Sequence, residues 1–472
     1  MRKHVRISRI LAASLAASLG GCASFSADGG FGAVQSAVRA RIGQEPAWAR
    51  SEPEQKQAEA AVRNLLAAPL DADAAVRIAL LNNRGLQAAY AELGIAEADL
   101  VQAGRLRNPG FSFARLTRGD EVEIERAFLF DLLGLLTMPA RTEVERRRLE
   151  LVQQRLAAEV IQVAADTRRA WIAAVAAQES VKYMEQVRDA AEASAELARR
   201  LAAVGNLSKL DHAREQVFYA EVAAQLARAR QNALAERERL TRLMGLWGES
   251  VAFRLPERLP DLPAAAREIA DLEALALARR LDVSSALKEA ENIAAALGLT
   301  RATGFVNVLE LGALRNSESA QPRQSGYEIE IRLPLFDWGS ARVARAEHAY
   351  MQAVNRAADI AVRARSEIRE AYHAYRTAYD LAKHYRDEIV PLRKRISEET
   401  LLRYNAMQVS AFELLSDARQ QIAGVTAYLE ALRDFWLAEA ALDLALNGKS
   451  PGALVAAGGK GRSPESAAAG DH

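Results

Sequence analysis

The side chains that could do covalent or metal chemistry are few in this sequence, and their spacing does not suit it. The six histidines, His4, His212, His348, His373, His384 and His472, are scattered. A zinc site needs ligands at short fixed intervals, as in HExxH on one helix face. A single cysteine cannot form an intramolecular disulfide, and the six methionines are dispersed as packing residues are. No Gly-rich phosphate loop and no serine in a nucleophile elbow occurs. The sequence therefore offers no catalytic residue, no metal site and no cofactor site, and the chain is expected not to be an enzyme. With 62 Lys and Arg against 61 Asp and Glu it lacks the charge bias that draws a protein to nucleic acid.

The lone cysteine is nonetheless placed for one reaction. Arg2, Lys3, Arg6 and Arg9 precede a short apolar run, Ile10 to Leu19, which ends in Leu19-Gly20-Gly21-Cys22. Basic residues, a short apolar core and a small-residue cleavage site make a secretory signal. The run is far short of the roughly 20 residues of a spanning helix. Leu-Gly-Gly-Cys resembles the bacterial lipobox, whose cysteine becomes the lipidated first residue. Residues 1–21 are therefore read as a lipoprotein signal peptide, Cys22 as the lipidation site and 22–53 as a lipid-anchored tether. Residues 448–472, rich in Gly, Ser and Ala, read as a disordered tail.

Between these ends the chain repeats itself once, at an offset of about 195 to 202 residues, giving repeats at 54–255 and 256–447. The helix Ala75 to Gly104 is answered by Leu272 to Leu299, and a β-hairpin at about 109–131 by one at about 303–334. In each repeat a long helix is expected to open just after Pro139 or Pro334, and a turn and returning helix follow, "VGNLSKLDHAREQ" at Val204 and "YNAMQVSAFELLSDAR" at Tyr404. Proline is absent from Ala140 to Arg254, and only Pro391 interrupts Leu335 to Ser450. Leu149, Val152, Leu156, Val160, Val163 and Thr167 begin a 3-4 spaced seam that runs on to Met184, and Ile368, Ala371, Tyr375, Ala378, Ala382 and Tyr385 form a second. Such seams are those of coiled coils, and their alanines allow close helix packing.

The strands pose a different problem. Tyr327, Ile329, Ile331 and Leu333 alternate with Glu328, Glu330 and Arg332, and Val122, Ile124, Phe128 and Phe130 alternate with Glu123, Glu125 and Ala127. One apolar and one charged face suit a barrel wall between lipid and water. Four strands cannot close a barrel, so several chains must share one. In the second hairpin the strands are expected over Thr303 to Gly312 and Gly326 to Pro334, with Gly312 to Ser325 as an outer loop.

These residues resemble the TolC-type outer-membrane efflux proteins, particularly their lipoprotein branch. The resemblance covers about Pro69 to Leu446 and is carried, in order, by "PLDADAAVRIALLNN", "AGRLRNPGFSF", "LPLFDWGSARVARAE" and the two helical tips "AAVGNLSKLDHAREQ" and "RYNAMQVSAFELLSDARQQ". It implies a mainly α fold with a small β part, in which two repeats of long coiled-coil-like helices plus β-hairpins form a trimeric α-helical tunnel and a shared twelve-stranded β-barrel. It also implies an outer-membrane channel in a tripartite efflux system, exporting heavy metals or drugs passively. Its partners would be its own copies in a homotrimer, a periplasmic adaptor protein, an inner-membrane efflux pump and outer-membrane lipid. Gly205, Asn206, Leu207 and Ser208 in the first tip, and Met407, Gln408, Val409 and Ser410 in the second, are the implied adaptor contacts. Glu413 and Asp417 are the implied pore constriction. Met407 stands where the family usually has glycine. The competing expectation is a lipid-anchored periplasmic structural coiled-coil protein whose truncated barrel does not cross the membrane.

Overall fold

A computed structural model describes residues 24–303, 305, 308–319, 321–332 and 334–450. Cys22, Leu333 of the apolar strand pattern and residues 451–472 of the tail lie outside the described residues. Among the described residues, eleven α-helices and four strands follow in the order α1 (Phe31–Ile42), α2 (Glu52–Leu66), α3 (Ala72–Asn82), α4 (Arg84–Ala103), β1 (Gly110–Arg118), β2 (Glu121–Asp131), α5 (Leu132–Ala203), α6 (Lys209–Met244), α7 (Leu272–Arg279), α8 (Leu281–Ala302), β3 (Leu309–Glu318), β4 (Gln324–Ile331), α9 (Ser340–His384), α10 (Val390–Asn405) and α11 (Ala411–Asn447). No helix among the described residues is long and apolar enough to cross a membrane, which says nothing about the strands.

The chain folds into two compact units, and each takes residues from both sequence repeats. The first comprises Met1–Gly43, Gly85–Glu159 and Leu281–Val362, and holds the sheet. All four strands pair antiparallel in the order β1-β2-β3-β4. Within this unit α1, inside the segment read as a tether, buries Phe31, Val34 and Val38. Phe31 packs edge-on against Tyr90 of α4 with ring centroids 4.9 Å apart. Gln153 of α5 donates to the Gly30 carbonyl at 3.0 Å. The apolar 3-4 spacing of these three residues is too short to stand out in the sequence, yet it suffices for one buried helix face.

The second unit comprises Gln44–Arg84, Val160–Arg280 and Arg363–His472. Its core follows the two seams: Val160, Thr167, Ala170, Ala174 and Ala177 on α5, and Ile368, Ala371, Tyr375, Ala378 and Ala382 on α9, are buried. Aromatic residues fill what the alanines leave open. Phe435 of α11 lies between Tyr375 and Tyr379 with centroids 5.6 and 5.7 Å away. Buried ring donors find backbone partners, as they must: Trp171 Nε1 donates to the Leu70 carbonyl at 2.7 Å and Tyr379 Oη to Ala264 at 2.9 Å.

Four expectations are corrected by local chemistry. The first long helix opens at Leu132, not after Pro139, because Asp131 caps it: its Oδ1 accepts the Gly134 amide at 2.6 Å. The second opens at Ser340, well after Pro334. The helix expected over Ala75 to Gly104 is interrupted at Asn83, and its counterpart at Arg280, both in extended backbone. In the first repeat the break lets Asn82 and Asn83 donate to the carbonyls of Gly245 and Leu243 at 2.7 and 2.9 Å, which satisfies the end of α6. The strands of the second hairpin run on to Glu318 and from Gln324, where a loop over 312–325 is expected, because Ala313, Arg315 and Asn316 pair with Tyr327, Ser325 and Gln324. Pro391, which cannot donate, is the second residue of α10 and follows a turn of π-helix at Tyr385–Ile389 that separates α9 from α10.

Candidate functional site

Two places carry the sequence-derived site residues. In the second unit, both tips are the same turn built twice. α5 ends in a Schellman turn in which the Gly205 amide donates to Ala202 at 3.1 Å and the Asn206 amide to Leu201 at 2.8 Å. α10 ends likewise, with Met407 donating to Tyr404 at 2.9 Å and Gln408 to Arg403 at 2.8 Å. Leu207 and Val409 follow. Ser208 and Ser410 then cap the returning helices, accepting the amides of Asp211 at 3.0 Å and Glu413 at 3.2 Å. The turn demands a left-handed residue after each helix: Gly205 supplies φ 76° without strain, while Met407 adopts φ 57° with its side chain 94% exposed.

The two turns flank one groove. Its walls are Leu197, Ala198 and Leu201 of α5, Leu207 of the first turn, and Phe412 and Leu415 of α11. A buried polar network closes its base. Glu215 of α6 accepts from Arg419 Nη2 of α11 at 3.2 Å and from Ser194 Oγ of α5 at 3.0 Å. The Arg419 guanidinium also lies 4.3 Å from the centre of the Phe218 ring. Sequence reasoning passed over Glu215 and Arg419, although both lie inside the tip motifs, because their pairing crosses between repeats. Glu413 is exposed in the first turn of α11, whereas Asp417 is buried and its Oδ2 has no hydrogen-bond partner among the described residues.

The second place is the sheet of the first unit. Residues opposed across antiparallel strands share a face, so the register sorts every side chain. One face carries Phe111 opposite Phe128, then Leu311 opposite Ile329, with Phe130 and Tyr327 beside them. These six side chains are exposed. The other face carries Glu123, Glu125, Glu310, Glu328 and Glu330. Glu310 stands between Asp131 and Glu330 in one row of three strands. Like charges so placed repel, and Arg107 and Arg332 offset the outer two at 3.3 and 3.7 Å. β1 and β4 each pair on one side only among the described residues, which leaves two open edges.

No protein-family model matches the chain. It is 28% identical over 282 residues to the cobalt-zinc-cadmium resistance protein CzcC of Cupriavidus metallidurans, a match that covers 57% of this chain and 64% of CzcC, less than two thirds of that protein's length. Among solved structures, the Campylobacter jejuni CmeC outer membrane channel superposes with a TM-score of 0.68 at 16% identity, covering 87% of this chain and 90% of that one. CusC superposes with a TM-score of 0.67 at 18% identity, covering 80% and 92%. The open state of the Neisseria gonorrhoeae MtrE outer membrane channel gives 0.65 at 17% identity, covering 79% and 88%. The chain thus has the fold of the TolC-type outer-membrane efflux channels, the family its duplicated motifs resemble.

Proposed function

We propose that this protein is the outer-membrane duct of an efflux system, through which substrates delivered by an inner-membrane pump and a periplasmic adaptor leave a Gram-negative cell passively. The observation that carries this reading is the sheet with an exposed apolar face, an acidic opposite face and two open edges. A water-facing acidic surface and a lipid-facing apolar one are what a barrel wall requires. Three copies joined edge to edge would supply the twelve strands that one chain cannot.

In this reading Cys22 carries the lipid that attaches the protein to the outer membrane. The paired turns at Gly205 to Ser208 and Met407 to Ser410 meet the adaptor, and exposed Glu413 narrows the closed periplasmic end, with Asp417, buried in the single chain, behind it. Similarity to CzcC supports divalent metal ions as the exported class, and the acidic face would tolerate cations in transit.

Reconstitution of the full-length protein in planar bilayers tests the duct. Discrete conductance steps are expected. A protein that trimerises and binds membranes but never conducts would instead be a lipid-anchored structural coiled-coil protein of the periplasm.

A further inference from the structure

The charges of the sheet are segregated. The acidic residues of the four strands lie on the face described above, and the opposite, apolar face carries three arginines, Arg115, Arg126 and Arg315, with no carboxylate. Arg126 of β2 stands directly opposite Arg315 of β3. Directly opposed side chains have Cβ atoms only about 5 Å apart, and like charges there are destabilising. The ion pairs of this region, Arg107 with Asp131 and Arg332 with Glu330, are made elsewhere. Arg126 leans on its other neighbour, Phe113, with the guanidinium carbon 6.0 Å from the ring centre. Two cations held together by register, beside an aromatic and without an acid, call for an anion from outside the chain.

Their height on the face says which anion. On β4, Ile331, Ile329 and Tyr327 lead up to Ser325, which pairs with Arg315. At about 3.4 Å per residue this run is about 20 Å long, or about 15 Å tall at the roughly 40° tilt of a spanning barrel's strands. Outside the strands, Phe305 and Trp338 are also exposed, with their rings 5.8 Å apart. A run of this height fits within the roughly 25 Å apolar band of a spanning barrel. Arg126 and Arg315 thus stand where this run ends on β3 and β4, on the side away from the helices, towards which a spanning strand approaches the lipid headgroups. Beyond them the same face is mixed, with Arg115, Thr117 and Ser317 around Ile124 and Val122.

We infer that Arg126 and Arg315, with Arg115 one row further out, form a binding site on the outer wall for the phosphate groups of outer-leaflet lipid. A planar guanidinium offers two parallel donors to one phosphate, and two opposed guanidiniums can share it. The bound phosphate removes the repulsion between them and fixes the height of the sheet in the bilayer. The inference rests on the duct reading only in taking this face to meet lipid.

The test reconstitutes the full-length protein in phosphatidylcholine vesicles containing either diphosphoryl lipid A or its dephosphorylated form. Lipid retained after detergent extraction is counted by mass spectrometry, and conductance is recorded from the same preparation. The wild type is expected to retain the phosphorylated lipid in preference by on the order of tenfold to thirtyfold, the size expected of two basic residues at a charged membrane surface. Arg126→Gln/Arg315→Gln should lose the preference, Arg126→Lys/Arg315→Lys should keep part of it, and Glu123→Gln/Glu125→Gln on the opposite face should keep all of it. Equal retention of the two lipids by the wild type, or an undiminished preference in the Gln pair, overturns the inference. Conductance scores the duct separately, because a wall that conducts without lipid preference refutes only the headgroup site. Trimer yield of each variant shows that a lost preference is not lost folding.

Discussion

Glu215 and Asp417 hold the same place in the two tips, seven residues after the capping serine in each repeat, and both are buried, but among the described residues only Glu215 has an ionic partner. Arg419 reaches Glu215 from α11, and Ser194 completes its hydrogen bonding from α5. A duplicated sequence has thus been put to two uses by its neighbours.

The pair predicts opposite responses to neutralisation. Removing one partner of a buried ion pair costs about 3–5 kcal/mol. Arg419 is 34% exposed, so solvent screening lowers the expected loss for Glu215→Gln to about 2 kcal/mol. Asp417→Asn removes a buried charge without breaking an ion pair and should be neutral or stabilising by up to about 1 kcal/mol. Denaturant unfolding of the two variants decides: similar losses at both positions would mean that Asp417 has an ionic partner in the assembled protein.

The left-handed turn at Met407 predicts a stabilising substitution. A side chain there costs about 1–2 kcal/mol, partly offset by the greater freedom of glycine in the unfolded chain. Because the Met407 side chain packs on almost nothing, Met407→Gly should gain about 0.5–1 kcal/mol, and Gly205→Ala should lose about 1 kcal/mol. Melting temperatures should move in opposite directions for the two variants. A lower value for Met407→Gly would show that the methionine is held by contacts outside the single chain.

The exposed carboxylate of Glu413 is expected to influence permeation rather than folding. Glu413→Gln and Glu413→Ala should both lower the cation-over-anion permeability ratio, read as the reversal potential in a salt gradient. The Gln variant should leave stability unchanged, since its amide can still face the Ser410 cap. An unaltered reversal potential in both variants would remove Glu413 from the constriction.

Near the end of α5, the guanidiniums of Arg199 and Arg200 donate to Glu196 at 2.7 to 2.8 Å and hold its carboxyl down at about 2. A folded-state value below the ordinary one means that Glu196 stabilises the fold above the usual carboxylate range. That contribution is lost as pH falls from about 4.5 towards 2. In Glu196→Gln the melting temperature at low salt should therefore fall less steeply over this window than in the wild type. The exposed site predicts that the difference vanishes in molar salt. Parallel pH profiles of the two proteins at low salt would exclude the contribution.

Much of this fold is readable from short-range pattern. Alternation placed Phe128 and Phe130 on one strand face and Glu123 and Glu125 on the other, and the 3-4 spacing through Val160, Ala170, Ile368 and Tyr375 marked helix faces that are buried. Both tips were visible as repeated motifs, since a helix stop, a cap serine and an acidic third residue are fixed within a few positions. These features depend on neighbours a turn or a pleat away, and one sequence contains those neighbours.

Pairings between distant segments were decided only by the tertiary structure. Nothing near Arg126 in sequence announces Arg315, because strand register couples residues far apart in the chain. Asn82 and Asn83 could not be matched to the end of α6 in advance, and the break they make was hidden within an otherwise helical pattern. Helix α5 begins before Pro139 because the Asp131 carboxylate caps it at the end of a strand, an end that depends on where pairing with β3 stops. Glu215 and Asp417, alike in their motifs, differ because only Glu215 meets Arg419. Local periodicity sets which face a residue takes, and only long-range packing sets what that face meets.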